Sequence, residues 1–264
     1  MKTLKATLMA GALFLAFAKP LLSQDQPPLY TRIASWNIAR VNWADFEKDY
    51  KKNEQPVMEK LLADGVIIQY GFDAVTVHTP EGQTHSNWFS ARTLANLEKA
   101  LDTLVAASEK LSPEERRRPN TDFAGEKHRD FIVRSLVHKV RPANLDKGYD
   151  WASFATVKPG KGREYRELWD KYNKPVFEQL LNDGAITAYG LDVEQVHTNS
   201  PSERVTWYVM PNAEALDKIE AAFEAARNKA DAVERRAIGA LFADVTEAGT
   251  HRDAMFRIIR YAAK

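Results

Sequence analysis

The chain contains no cysteine. That absence excludes a disulfide framework, a thiolate zinc site, an iron–sulfur cluster and a cysteine nucleophile. An excess of charge of either sign is missing too. Lys and Arg number 37 against 36 Asp and Glu, for a formal charge of +1, so no basic footprint for nucleic acid is present. Long apolar runs are confined to one place near the start. What is there is core-forming material: 44% hydrophobic and 10% aromatic residues in 264 positions, which excludes disorder as a description of the whole chain and suffices for one core or two small ones.

The single apolar run, from Ala6 to Ala18, follows Lys2 and Lys5 and ends in the small-x-small triplet Ala16-Phe17-Ala18. A basic start, about a dozen apolar residues and a small-residue end form the pattern of a secretory signal peptide. The run is shorter than the ~20 residues that span a bilayer. Cleavage after Ala18 or after Ser23 fits, and no cysteine follows to carry a lipid. The expectation is export to the periplasm or medium, with no stable membrane anchor after cleavage. Residues 1–23 are thus read as signal peptide and linker, 29–140 as a first structural unit and 149–264 as a second.

That two-unit division rests on an internal repeat. Residues 56–79, PVMEKLLADGVIIQYGFDAVTVHT, match residues 175–198, PVFEQLLNDGAITAYGLDVEQVHT, at 14 of 24 positions. The same offset of 119 aligns Trp88 with Trp207, and His128-Arg129-Asp130 recurs as His251-Arg252-Asp253. Each copy shows one order of elements. A strand (Tyr30–Ile38; Trp151–Val157) precedes an amphipathic helix interrupted by Pro56 or Pro175, which should kink or restart it. Asp64-Gly65 and Asp183-Gly184 end those helices, glycine supplying the left-handed turn. A hairpin follows, then a second helix, a short helix opened in the first copy by the capping box Ser112-Pro113-Glu114-Glu115, and a last strand.

This order is βαββαβ, the ferredoxin-like unit. With the segments PVxExLLxDGxI…YGxD and HRD, the chain resembles the dimeric α/β-barrel superfamily over about residues 30–262, with the dimer fused into one polypeptide. The resemblance implies an α+β fold: two ferredoxin-like βαββαβ repeats whose sheets pack together as an intramolecular pseudo-dimeric α/β barrel. It also implies a pocket between the sheets. Proteins of that superfamily include cofactor-independent monooxygenases, haem-binding and haem-degrading enzymes, muconolactone-type isomerases and plain ligand-binding proteins, so fold alone selects no activity.

Among the residues, the histidines carry the sharpest chemistry. His78 and His197 are equivalent, as are His128 and His251; imidazole moves protons near neutral pH or binds metal. Each pair could equally hydrogen-bond a neighbouring loop. Strand alternation sets His128 beside Asp130 and His251 beside Asp253 on one face. The carboxylate would then either anchor the strand end through arginine or orient the imidazole for proton transfer. Tyr70, Tyr189, Trp88 and Trp207 would supply an aromatic ligand surface, or else simple core. The candidate catalytic residues are therefore His78, His197, His128, His251, Asp130 and Asp253, and the candidate ligand-binding residues the four aromatics. No metal ligand set is visible in the spacing, and the sequence names no cofactor.

The leading expectation is an exported small-molecule-binding barrel, acting on an apolar or aromatic ligand as a cofactor-independent oxygenase or isomerase. A haem- or metal-binding barrel and a non-catalytic cell-envelope interaction or stress protein stand as alternatives. A small-molecule partner and no nucleic acid are expected, and the oligomeric state is left open.

Overall fold

The computed structural model describes residues 27–77, 82–123, 128–196 and 201–264, with the backbone alone for 120–122. The signal-peptide segment, His78 and His197 lie outside the described residues. In the first half, β1 (Tyr30–Trp36) leads into α1 (Trp43–Asn53) and α2 (Gln55–Ala63), then β2 (Gln69–Val75), β3 (His85–Ala91), α3 (Leu94–Ser108), α4 (Pro113–Arg117) and β4 (His128–Val140). The connecting segment forms the short β5 (Ala143–Leu145). In the second half come β6 (Tyr149–Thr156), α5 (Gly162–Tyr172), α6 (Lys174–Asn182), β7 (Ala188–Glu194), β8 (Glu203–Met210), α7 (Glu214–Asn228), α8 (Ala232–Val245) and β9 (Arg252–Ala263).

Local chemistry accounts for the breaks. Proline sits in the first turn of both α2 and α6, where its missing N–H costs no helical bond and the preceding helix must end. Gly65 and Gly184 follow those helices at a φ of 72° each, the left-handed turn that favours glycine. Ser112 and Glu115 close a capping box at α4.

The strand order is β2-β3-β1-β4-β7-β8-β6-β9, with β2 paired back to β9 and β5 alongside the end of β9. Every pairing is antiparallel. This corrects the fold class expected from the sequence. Two ferredoxin-like βαββαβ repeats packing sheet against sheet as a pseudo-dimeric α/β barrel are not what forms. The halves join edge to edge, through β4–β7 and β2–β9, into one closed eight-stranded antiparallel β-barrel with the helices around it. The helical segments also come in pairs, so neither half is a plain βαββαβ unit. The physical reason is the open edges: four-stranded sheets kept separate would leave unpaired N–H and C=O groups along β2, β4, β7 and β9, and closure removes every such edge.

Closure divides each strand's residues between a lumen and an outer face. Outward residues pack under the helices. In the first half they include Tyr70 and Phe89 with Met58, Leu61 and Leu97, and in the second Tyr189 and Tyr208 with Trp169, Phe177 and Ile219. Inward residues at one end of the lumen pack as a floor of Trp88, Val209, Ile258 and Tyr261, with Trp207 against them.

The repeated Tyr-Gly-x-Asp segment has its explanation in the lumen wall. Gly71 pairs with Trp88 and Gly190 with Trp207 across the strands. A Cβ on Gly71 would collide with the Trp88 indole, and one on Gly190 would come within 2.6 Å of Trp207. Each glycine is thus the bed on which an indole lies. Gly71→Ala and Gly190→Ala should each destabilise the fold by about 1–3 kcal/mol through overpacking, read as a lower urea midpoint. In a Trp88→Leu background the cost of Gly71→Ala should shrink; an unchanged cost would show that the indole contact is not its source.

Candidate functional site

The barrel separates the aromatic residues that the sequence grouped together. Trp88 and Trp207 face the lumen, whereas Tyr70 and Tyr189 are fully buried on the outer face. The Tyr70 hydroxyl accepts a hydrogen bond from Arg260 Nε at 3.1 Å. The His-Arg-Asp segments open β4 and, in the second half, lead into β9. Alternation turns each His and Asp to the outer face and each Arg toward the lumen.

On that outer face the two copies have diverged. In the first half Arg32 pairs with Asp130 at 3.0 Å, and His128 stacks on Trp36 with ring centroids 4.9 Å apart. Trp36 Nε1 donates to Asn87 Oδ1 at 2.9 Å, and Asn87 donates to the Glu54 carboxylate at 2.9 Å. The space beneath the helices is thereby filled, leaving a cavity of only about 120 Å³.

In the second half the register sets Ala155 where the first has Trp36, and Trp151 where it has Arg32. A cleft of about 790 Å³ opens between β6, β8 and the helices α5 to α8, within the range of small-molecule pockets. Its walls are aromatic: Trp151 and Tyr208 lie nearly parallel, with centroids 6.1 Å apart and planes 8° apart, and Phe177, Phe223 and Phe242 face them. His251 and Asp253 sit in the lining. His251 Nε2 lies 3.1 Å from Ser153 Oγ and 3.5 Å from Asp253 Oδ1. Asp253 also accepts from Trp151 Nε1 at 3.3 Å. Trp151 stands in the place of Arg32, and the imidazole takes the place beside this carboxylate. Burial, together with the charges of Asp253, Asp150 and Glu220, raises the Tyr208 hydroxyl pKa above its ordinary value.

The residues lining the cleft do not fit a haem. Among the described residues its one lining histidine is two-thirds exposed with Nε2 turned to Ser153 and Asp253, and two propionates would find a single arginine, Arg227, set among Glu220 and Glu224. Among the described residues no group of three or more His, Asp or Glu side chains could hold a metal ion.

The upper lumen is a second cavity, of about 420 Å³, walled by Ile33, Phe131, Phe154, Val205 and Phe256 with the two tryptophans. Acids from three strands meet there. Asp73 Oδ2 accepts from Trp88 Nε1 at 2.7 Å, while one oxygen of each of Asp73, Asp150 and Asp192 has no partner. Burial raises all three: Asp73 to about 7, Asp192 to about 6, with Ser135 and Trp207 beside it limiting the rise, and Asp150 well above the carboxylate range, pushed further by Asp73 and Asp192. Asp73 and Asp192 belong to the repeated YGxD segment, so their recurrence was readable. Asp150 has Thr31 at the matching register position, and nothing in the repeat marks it.

These raised values have a consequence for stability. Between about pH 4 and pH 7 the folded chain holds protons that the unfolded chain has released, so their contribution falls as pH rises through that window. Asp192→Asn should therefore be more stable than the parent by roughly 1–3 kcal/mol at pH 8, with the gain vanishing near pH 4. Urea unfolding of both proteins at pH 4, 6 and 8 measures the difference; a gain independent of pH would contradict it.

No family model matches the chain, and no curated protein matches it either. Solved structures do. A provisionally assigned monooxygenase from Fusobacterium nucleatum subsp. nucleatum superposes with a TM-score of 0.64 at 9% identity, over 90% of this chain and 94% of that one. A second provisional monooxygenase, from Lactobacillus acidophilus, gives 0.58 at 12% identity, over 90% and 97%. At the level of fold the chain therefore resembles these two proteins.

Proposed function

We propose that the second-half cleft binds a planar aromatic small molecule against Trp151 and Tyr208, and that His251 takes a proton from it. The observation that carries the reading is Ala155 in the place of Trp36: the substitution opens an aromatic-walled space beside a His–Asp pair that lacks the neutralising arginine of its first-half copy. Ser153 and Asp253 both face His251 Nε2. They favour the tautomer protonated there, which leaves the Nδ1 lone pair as the base, and Asp253 stabilises the imidazolium once it forms. A proton taken from a phenol or from a carbon next to a carbonyl opens two reactions that need no cofactor. Return of the proton to another carbon is an isomerisation, and transfer of electrons from the anion to O₂ begins an oxygenation. The fold likeness to monooxygenase-like proteins supports the second without deciding it.

The test uses calorimetric binding of a planar phenol such as 1-naphthol, with O₂ uptake and product analysis on a panel of polycyclic phenols and ketones. Ala155→Trp should fill the cleft and weaken binding at least tenfold. His251→Ala should leave binding near the parent value and lower turnover by about 10²- to 10⁴-fold, while His128→Ala should change neither. Undiminished binding by Ala155→Trp would overturn the placement, and undiminished turnover by His251→Ala would overturn the base.

The reading includes export, supported by the basic start and the apolar run that ends at Ala18. N-terminal sequencing of the chain from its native compartment should begin at Lys19 or Gln24; a chain beginning at Met1 would contradict export by cleavage.

A further inference from the structure

The lumen acids are not used by that chemistry: they lie on the other side of the sheet from the cleft. Asp192 is 5% exposed, lines the cavity and has an unpaired Oδ1. Asp150, on β6 with β8 between it and the strand of Asp192, lines it as well, again with an unpaired oxygen. Unpaired carboxyl oxygens inside a barrel are expensive to keep, since each has given up water without gaining a donor. The cavity around them has both apolar walls and polar ones, Gln69, Ser86 and Arg129 among the latter, with the two indoles in its lining.

Charges facing the acids do not satisfy them. Arg252 is engaged by Glu203 and lies over the Phe154 ring at 4.2 Å, toward the strand ends where Arg129 and Glu194 also sit. Below, Tyr261 Oη donates to Gln69, and His138 is bonded to Arg92. No cation reaches Asp150 or Asp192 among the described ion pairs.

We propose that the lumen binds a small arylalkylamine, its ammonium group seated on Asp192 and its ring against Trp88 and Trp207. Three features of this ligand match three of the cavity. The ammonium supplies a donor to the orphaned Asp192 oxygen, with Asp150 adding to the negative field, the indole faces attract a cation and a ring alike, and Ile33, Phe131 and Val205 offer apolar surface to the ring. A neutral isostere would leave the carboxyl no counter-charge. Burial raises both acids above their ordinary range, Asp150 further through repulsion by its neighbours, and the ammonium favours their ionised form.

The experiment is isothermal titration calorimetry of the full chain at pH 7 with 2-phenylethylamine and, in parallel, 2-phenylethanol, in buffers of differing ionisation enthalpy. The amine should bind at least tenfold tighter than the alcohol, with a buffer-dependent heat that reports proton release. Asp150→Asn and Asp192→Asn, whose folding is checked by circular dichroism, should each weaken the amine at least tenfold. Ala155→Trp, which closes the outer cleft, should leave amine binding unchanged. Equal affinity for the alcohol, full affinity in both Asn variants, or loss of the amine in Ala155→Trp would each overturn the assignment. Should either Asn variant not fold, the parent protein decides: equal affinity for the amine and the alcohol overturns it.

Discussion

Edge-to-edge pairing of the two halves is the constraint on which the rest of this structure depends. Once β4 joins β7 and β2 joins β9, no strand edge is left open around the ring, and every residue of every strand must choose lumen or helix side. The period of two along a strand makes that choice collective. In β2 it sends Gln69, Gly71 and Asp73 inward and Tyr70 and Phe72 outward. A bulge in β9 between the partners of Phe72 and Asp73, and one in β4 between Ser135 and Val137, adjust the register at symmetrically related places, one at each seam.

Duplication supplies two copies of every position, and the divergence of the copies is where chemistry can arise. Trp36 against Ala155 decides whether the sheet–helix space is filled or open. Arg32 against Trp151 decides whether the neighbouring Asp is neutralised or left to histidine. In the lumen, Thr31 against Asp150 adds a third acid to the pair that the repeat itself provides. A perfectly symmetric barrel would have two closed outer faces and two lumen acids. Three exchanges between related positions convert it into a barrel with one open aromatic cleft and a crowded acidic lumen.

Both sites carry a thermodynamic cost. Carboxyls held above their ordinary pKa lower stability at neutral pH, and the cleft leaves Trp151, Phe223 and Phe242 only partly buried. In the first half the matching space is filled, with Tyr50 stacked 3.9 Å from Phe72 and Trp36 bonded to Asn87. Natural binding sites commonly sit at such a compromise between packing and vacancy.

The sequence by itself determined the duplication, the alternation of strands with helical segments, the proline and glycine breaks, and the placement of His and Asp on one face in each HRD segment. All of these are local: periodicity, caps and neighbour alternation act over a few residues and survive in any tertiary arrangement. Only the tertiary structure decided that the halves share one closed sheet, that Trp88 and Trp207 face inward while Tyr70 and Tyr189 face out, and that Asp150 meets Asp73 and Asp192. A strand such as Tyr70-Gly-Phe-Asp73, with aromatics on one face and glycine and aspartate on the other, does not announce its inward side. The decision rests with the partner strand, where Trp88 needs the bare backbone of Gly71. Likewise Ala155 reads as an ordinary strand residue until its register position, and the tryptophan that fills the same place in the other half, show what its small side chain leaves open.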